Sequence, residues 1–145
     1  MPDKKELEQF ITKAQELHGH LGPFLIIGVR MGLIAKKQLC KSNSQNTSLV
    51  AKVKLPLSTP FSCLLDGIQI TTTCTIGNQR LKIENALSIE ACFMNKKSGG
   101  EVLITLNQDL TNEMQKRLKE QDLTEDYALK LARAPDKALF NIKMD

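Results

Sequence analysis

The stretch from Phe24 to about Leu39 constrains the fold more than any other. Phe24, Leu25, Ile26, Ile27, Val29, Met31, Leu33 and Ile34 leave a helix there almost no polar face, so it must be nearly central and covered by other elements. Gly28 and Gly32 stand one helical turn apart and permit another element to approach closely, at a cost in helix propensity. Pro23 suits the first turn, and Lys36 and Lys37 suit the negative end of the helix dipole.

The elements around that helix follow from periodicity. Asp3-x-x-Glu6 has the form of a capping box, and Leu7, Phe10, Ile11, Ala14 and Leu17 give the helix after it one apolar face, which His18 extends. Gly19 and Gly22 break it. Lys41 to Thr47 is rich in Ser, Asn and Gln and reads as a surface loop. Alternation predicts strands over 49–55, 87–94 and 101–107, with a short one from Arg80 to Ile83, and Asn95–Gly100 as a hairpin loop joining the second and third. A helix over 61–71 places Cys63, Asp66 and Ile70 on one side. Further helices begin near Asp109 and after Thr124, the latter stopping before Pro135, and Phe140, Ile142 and Met144 alternate as a last strand. The pattern predicts an α+β fold over residues 1–145, one domain with a mainly antiparallel sheet packed with helices.

Composition narrows the function classes. Twenty Lys and Arg against sixteen Asp and Glu leave +4 spread along the chain, and only 4% of residues are aromatic, which argues against a nucleic-acid partner. No apolar run is long enough to span a bilayer, and the N-terminus lacks the apolar core of a secretory signal. The cysteines at 40, 63, 74 and 92 form no CxxC pair, so reduced thiols and a cytoplasmic location are expected, with Cys40 and Cys92 as bystanders.

Two stretches hold polar groups that need a reason. Cys63-Leu-Leu-Asp-Gly-Ile-Gln69 and the following Thr71-Thr-Thr-Cys-Thr75 set thiols, a carboxylate, an amide and hydroxyls in an apolar run. Burying such groups unpaired costs roughly 2–7 kcal/mol for a neutral one, so Asp66 and Gln69 are expected to be bonded or to face a cavity. His18-Gly-His20 holds both histidines. On a continuous helix their side chains would diverge by about 200°, but Gly19 between them allows a non-helical arrangement in which both point one way. The start of the 24–39 helix beside His20 favours an anion or a neutral imidazole, and Cys63 at the start of its own helix is expected to have a lowered thiol pKa.

His18-Gly-His-Leu-Gly-Pro-Phe24, Cys63-Leu-Leu-Asp-Gly-Ile-Gln69, Cys74-Thr-Ile-Gly77 and Leu131-Ala-Arg-Ala-Pro-Asp136 together resemble the core domain of the formylmethanofuran dehydrogenase E-subunit family. The resemblance implies an α+β core, usually dimeric, with a cleft built around the histidine and cysteine motifs. It also brings an association with a molybdenum or tungsten enzyme, and hence a partner enzyme subunit. A homodimer is further suggested by the apolar excess of the 24–34 stretch, which one small sheet is not expected to cover. Many members carry a C-terminal cysteine-rich zinc finger, whereas no cysteine follows Cys92 here. Gly22 stands where the family often has a cysteine and Phe24 where it has a glycine. Thr73 replaces a usual glycine, and Asn78-Gln79-Arg80 replaces Lys-Gly-Asn, which removes a lysine from that loop.

Three readings of the site follow. In the first, His18, His20, Cys63 and Cys74 bind a transition metal ion, zinc by the mixture of nitrogen and sulfur, with Asp66, Gln69, Thr75 and Pro23 orienting ligands or contacting a bound small molecule. In the second, Cys63 is the thiolate of an enzyme acting on a small electrophile, with histidine as base. In the third, the domain is a non-catalytic interaction module and the cluster is a structural network.

Overall fold

Asp3 starts the first helix as its spacing requires: its carboxylate accepts the Glu6 N–H at 3.1 Å, and α1 runs Lys4–His18. Leu7 and Ala14 on its inner face pack against Leu25, Val29 and Leu33. The helix stops because Gly19 takes φ 97°, a left-handed conformation that glycine adopts without a Cβ clash, and its N–H closes the last turn on the Gln15 carbonyl. These elements belong to a computed structural model that describes residues 2–40 and 48–145; the loop expected at 41–47 lies outside the described residues.

The second helix, α2 (Pro23–Leu39), is buried at every position from Pro23 to Ala35. It contacts α1 on one side and the sheet on another. It also contacts α3 (Cys63–Thr72) and α5 (Glu125–Arg133). The chain's own elements therefore cover Pro23 to Ala35, and the bare apolar surface expected of the 24–34 stretch, with the argument for a homodimer built on that surface, is not found.

Around α2 the chain forms β1 (Leu49–Leu55), β2 (Leu81–Asn85), β3 (Glu90–Asn95), β4 (Glu101–Leu106), α4 (Gln108–Lys119), α6 (Asp136–Leu139) and β5 (Phe140–Met144). The strand order is β2-β1-β3-β4-β5. β1 pairs with β2 in parallel and the other three pairings are antiparallel, so the fold is α+β with a mainly antiparallel sheet. Leu49, Ala51, Val53 and Leu55 alternate inward, as do Phe93 and Ile104, while Lys52 and Cys92 point to the opposite face. The strand expected over 87–94 begins only at Glu90, and Leu87 is 94% exposed. Because β2 and β3 flank β1 on opposite sides, residues 86–89 must step across the end of β1 and cannot be strand.

β1, α3 and β2 form a β-α-β unit in which α3 returns antiparallel to β1. The same unit lays α3 along α2 in parallel, because successive contacts rise together in both helices. Phe24, in the first turn of α2, meets Phe61, just ahead of α3, edge-on at 5.1 Å. A Cβ on Gly28 would fall 1.9 Å from the Leu64 carbonyl oxygen, one on Gly67 2.5 Å from the Leu25 oxygen, and one on Gly32 1.7 Å from the Thr71 hydroxyl. Two backbones this close leave no room for a methyl group, so the spacing Gly28-x-x-x-Gly32 is a packing requirement.

Arg30 is the one charged residue within that buried stretch of α2. Its guanidinium donates to the Leu131 and Ala132 carbonyls at 3.0 Å, both at the end of α5, and to the Asp136 carboxylate at 2.7 Å. Burial alone would raise the Asp136 carboxyl, but hydrogen bonds and nearby positive charge, the Arg30 hydrogen bond first among them, together hold the group below its ordinary range. The Leu131–Asp136 motif is therefore a receptor for Arg30. Gly28→Ala is expected to destabilise the chain by about 1–3 kcal/mol or more through overpacking, whereas Gly77→Ala, whose Cβ would meet nothing closer than 3.8 Å, should be nearly neutral in urea denaturation. Equal midpoints for the two variants would contradict the close α2–α3 contact.

Candidate functional site at the starts of α2 and α3

Parallel packing puts the first turns of α2 and α3 side by side, and the end of α1 is joined to them by residues 19–22 only. His18 is the last residue of α1, and its Nδ1 lies 2.7 Å from Asp66 Oδ2 in the first turn of α3. Asp66 Oδ1 accepts the Gln69 side-chain amide at 3.3 Å, so the polar groups that the sequence set among apolar residues are paired with one another. A carboxylate can only accept, so in the neutral ring the His18 Nδ1 carries the proton and Nε2 keeps the lone pair. That Nε2 is buried and, among the described residues, has no hydrogen-bond partner.

His20 follows the left-handed Gly19, and the two imidazoles lie 4.6 Å apart with planes tilted by 42°. The non-helical arrangement expected of His-x-His is thus the one adopted. Pro23 is buried at the first turn of α2. Gly22, just before it, is in the extended region at φ −128°, and a Cβ built there would sit 3.5 Å from His20 Nε2, ordinary van der Waals contact.

Cys63 begins α3, three residues before Asp66 on the same face. The lowered pKa expected from its place at a helix start is not found. Burial pushes the thiol up, and the Asp66 charge pushes it further. A helix dipole of about half a charge is outweighed there by desolvation and a full negative charge.

Cys74 and Thr75 lie elsewhere. They follow the far end of α3, which at about 1.5 Å per residue places them roughly 15 Å along the helix from Cys63. Cys74 is fully buried, burial raises its thiol pKa, and its S–H donates to the Leu49 carbonyl at 3.3 Å. Thr75 exchanges hydrogen bonds with Asn78, its N–H donating to Asn78 Oδ1 at 3.0 Å and its hydroxyl accepting from the Asn78 N–H at 3.1 Å. Among the described residues, no group of three or more His, Cys, Asp or Glu side chains is disposed to hold a metal ion. The four expected ligands therefore divide: His18, His20 and Cys63 at one end of α3, Cys74 at the other.

Residues 17–143 match the family described as "FmdE, Molybdenum formylmethanofuran dehydrogenase operon". The chain belongs to the FmdE family. The match starts next to the histidine motif and runs through the last strand, so it covers nearly every element of the fold. A probable S-adenosyl-L-methionine-binding protein of Archaeoglobus fulgidus is 36% identical over 90 residues, which are 59% of this chain and 24% of that protein. The chain thus spans only about a quarter of the length of that relative. The crystal structure of an FmdE-like protein of the tungsten formylmethanofuran dehydrogenase type from Syntrophus aciditrophicus superposes with a TM-score of 0.65 at 22% identity, covering 96% of this chain and 71% of that one, a likeness of fold.

Two departures from the FmdE sequence pattern fall on special backbone. Thr73 and Gln79, where relatives often have glycine, take φ 60° and 61°. The left-handed region costs an L-residue about 1–2 kcal/mol, most awkwardly for a β-branched one. Arg80 offsets part of this: its guanidinium donates to the Thr73 carbonyl and hydroxyl at 2.9 and 3.0 Å and to the Leu49 carbonyl at 3.2 Å. By sequence alone Arg80 is only a departure from the family pattern. The signal of its role is a cation standing next to the position where a glycine is lost.

The Cys63 environment has a direct kinetic consequence. At pH 7 its alkylation by iodoacetamide should be slower than that of a cysteine in an unfolded peptide, and should rise with pH beyond the ordinary thiol range. Asp66→Asn removes a charge that raises the thiol pKa, so it should speed the reaction severalfold at fixed pH. Mass spectrometry of the labelled peptide reads both rates; a fast wild-type reaction at neutral pH would contradict the assignment.

Proposed function

We propose that this FmdE-family chain binds a transition metal ion, zinc by its donor chemistry, through the two imidazoles at the end of α1, as a cytoplasmic accessory subunit or small metal-linked enzyme. The observation that carries the proposal is the His18 ring: Nδ1 is fixed by Asp66 and Nε2 is a buried lone pair without a partner among the described residues. Ligating histidines nearly always give their other nitrogen to a carboxylate or carbonyl, which sets the tautomer and raises basicity. His20, 4.6 Å away ring to ring, supplies a second nitrogen, and Cys63 is the thiol on the same helical face as Asp66. Cys74 is left out because its S–H is engaged at the other end of α3.

The two imidazoles fill at most two positions of a tetrahedral zinc ion, which leaves coordination open to a small molecule. When bound, the ion would act as a Lewis acid and lower the pKa of a coordinated water or thiol. The chain's own part is to orient His18 through Asp66 and Gln69, to keep Nε2 dry, and to present two parallel helix starts that favour an anionic ligand. The raised Cys63 thiol pKa counts against a free thiolate nucleophile.

Zinc titration of untagged protein against a chromophoric chelator tests the proposal. His18→Ala should lose orders of magnitude in affinity, and Asp66→Asn about 10–100-fold. Cys74→Ser should change nothing but stability. Gly22→Cys should bind about tenfold tighter or more, because its side chain fits beside His20 Nε2 and adds a sulfur donor. Wild-type and His18→Ala chains with equal zinc affinity would refute the assignment.

A further inference from the structure

On the face of the sheet turned away from the helices, outward side chains form rows across the strands, and two neighbouring rows treat their lysines differently. In one, Lys54 stands directly opposite Glu84 on β2 and Glu90 on β3, and its Nζ lies 3.7 and 3.8 Å from their carboxylates. Two residues earlier on β1, Lys52 stands directly opposite Lys82 on β2 and Cys92 on β3. Like charges facing each other across a strand pair repel. Neither Lys52 nor Lys82 has an ion-pair partner among the described residues. The same strand thus has one lysine neutralised from both sides and the next set against another lysine.

Lys52 and Lys82 line a concavity of about 760 Å³, a size that suits a small organic molecule. Arg80 and Lys96 bring its cations to four, against Glu101 as the acid among the described lining residues. Hydrogen bonds to the Thr73 and Leu49 carbonyls hold the Arg80 guanidinium in place. The rest of the lining is largely apolar: Val50 and Met94, level with each other across β1 and β3, and Ile76, a large apolar side chain left 58% exposed.

We propose that this concavity binds a small organic phosphate monoester, its dianionic group between Lys52 and Lys82 and its apolar body over Val50, Met94 and Ile76. Two facing lysines call for two negative charges on one group, which a phosphate monoester carries near neutral pH and a monocarboxylate does not. The exposed apolar lining gives the body of such a molecule surface to cover, which inorganic phosphate lacks. The site is separate from His18, which lies among the helices on the other face of the sheet, so it stands or falls independently of zinc.

Titration of the nitrogen-15 labelled chain with phenyl phosphate tests the proposal. Saturable shifts should centre on the amides of Lys52, Lys82 and Met94, with inorganic phosphate and benzoate each binding about tenfold more weakly or worse. Lys52→Gln and Lys82→Gln should each cost about tenfold in affinity. Lys143→Gln removes the same charge from the same row at the β5 edge, and it should change nothing, as should His18→Ala. In the free chain Lys52 and Lys82 should be acetylated readily by a soluble active ester, and phenyl phosphate should protect both. Affinity indifferent to Lys52→Gln and Lys82→Gln, shifts confined to the starts of α2 and α3, or equal binding of benzoate or inorganic phosphate would overturn the inference. So would lysines that resist acetylation before any ligand is added, because the face would then already be covered.

Discussion

Everything at the site depends on the contact between α2 and α3. Gly28 and Gly67 let the two backbones touch where a single methyl group would collide with a carbonyl, and the contact runs in parallel. Antiparallel packing of the same two helices would send their starts to opposite ends of the domain. As it is, Pro23 and Cys63 begin their helices together, and the short 19–22 connection swings both imidazoles over that end. The tightness also fixes Asp66 in position, one residue before Gly67, so a carboxylate meets His18 without a flexible element between them. Burying a guanidinium in the middle of α2 is the other commitment. Arg30 is tolerated because the end of α5 supplies two carbonyls and Asp136 a carboxylate, which ties the C-terminal third of the chain to the central helix.

Much of this is legible in the sequence, for reasons that can be named. The apolar run 24–34 has no polar face, and Gly28-x-x-x-Gly32 lies within it; together they fix a central helix with a close neighbour. Local chemistry locates Asp3, Gly19, Pro23 and Thr124 at helix ends, where capping depends on adjacent residues. What is not legible depends on partners far along the chain. Strand order decides that Leu87 crosses over the end of β1 rather than extending β3, and no periodicity records strand order. Likewise, Cys63 and Cys74 look like two parts of one motif until the helix between them is given its length. The cover over α2 comes in part from α5, more than ninety residues after its start, so its apolar excess looks like an interface until the chain is folded.

The family's variable positions acquire physical meaning from the same geometry. Gly22 stands against His20, so a cysteine there in relatives would bring sulfur to the imidazole pair, and this chain keeps the space but lacks the donor. Thr73 and Gln79 hold a left-handed backbone that glycine would hold more easily, and Arg80 fastens the turn from outside.

The central claim is that Asp66 fixes His18 as a ring with a proton on Nδ1 and an available lone pair on Nε2. Long-range nitrogen-15 spectra of the imidazoles at a pH where His18 is neutral test it most directly. The account predicts an unprotonated Nε2 signal for His18 that moves when zinc is added and a return to mixed tautomers in Asp66→Asn. A His18 ring protonated on Nε2 in the wild type, or a tautomer unaffected by Asp66→Asn, would contradict it.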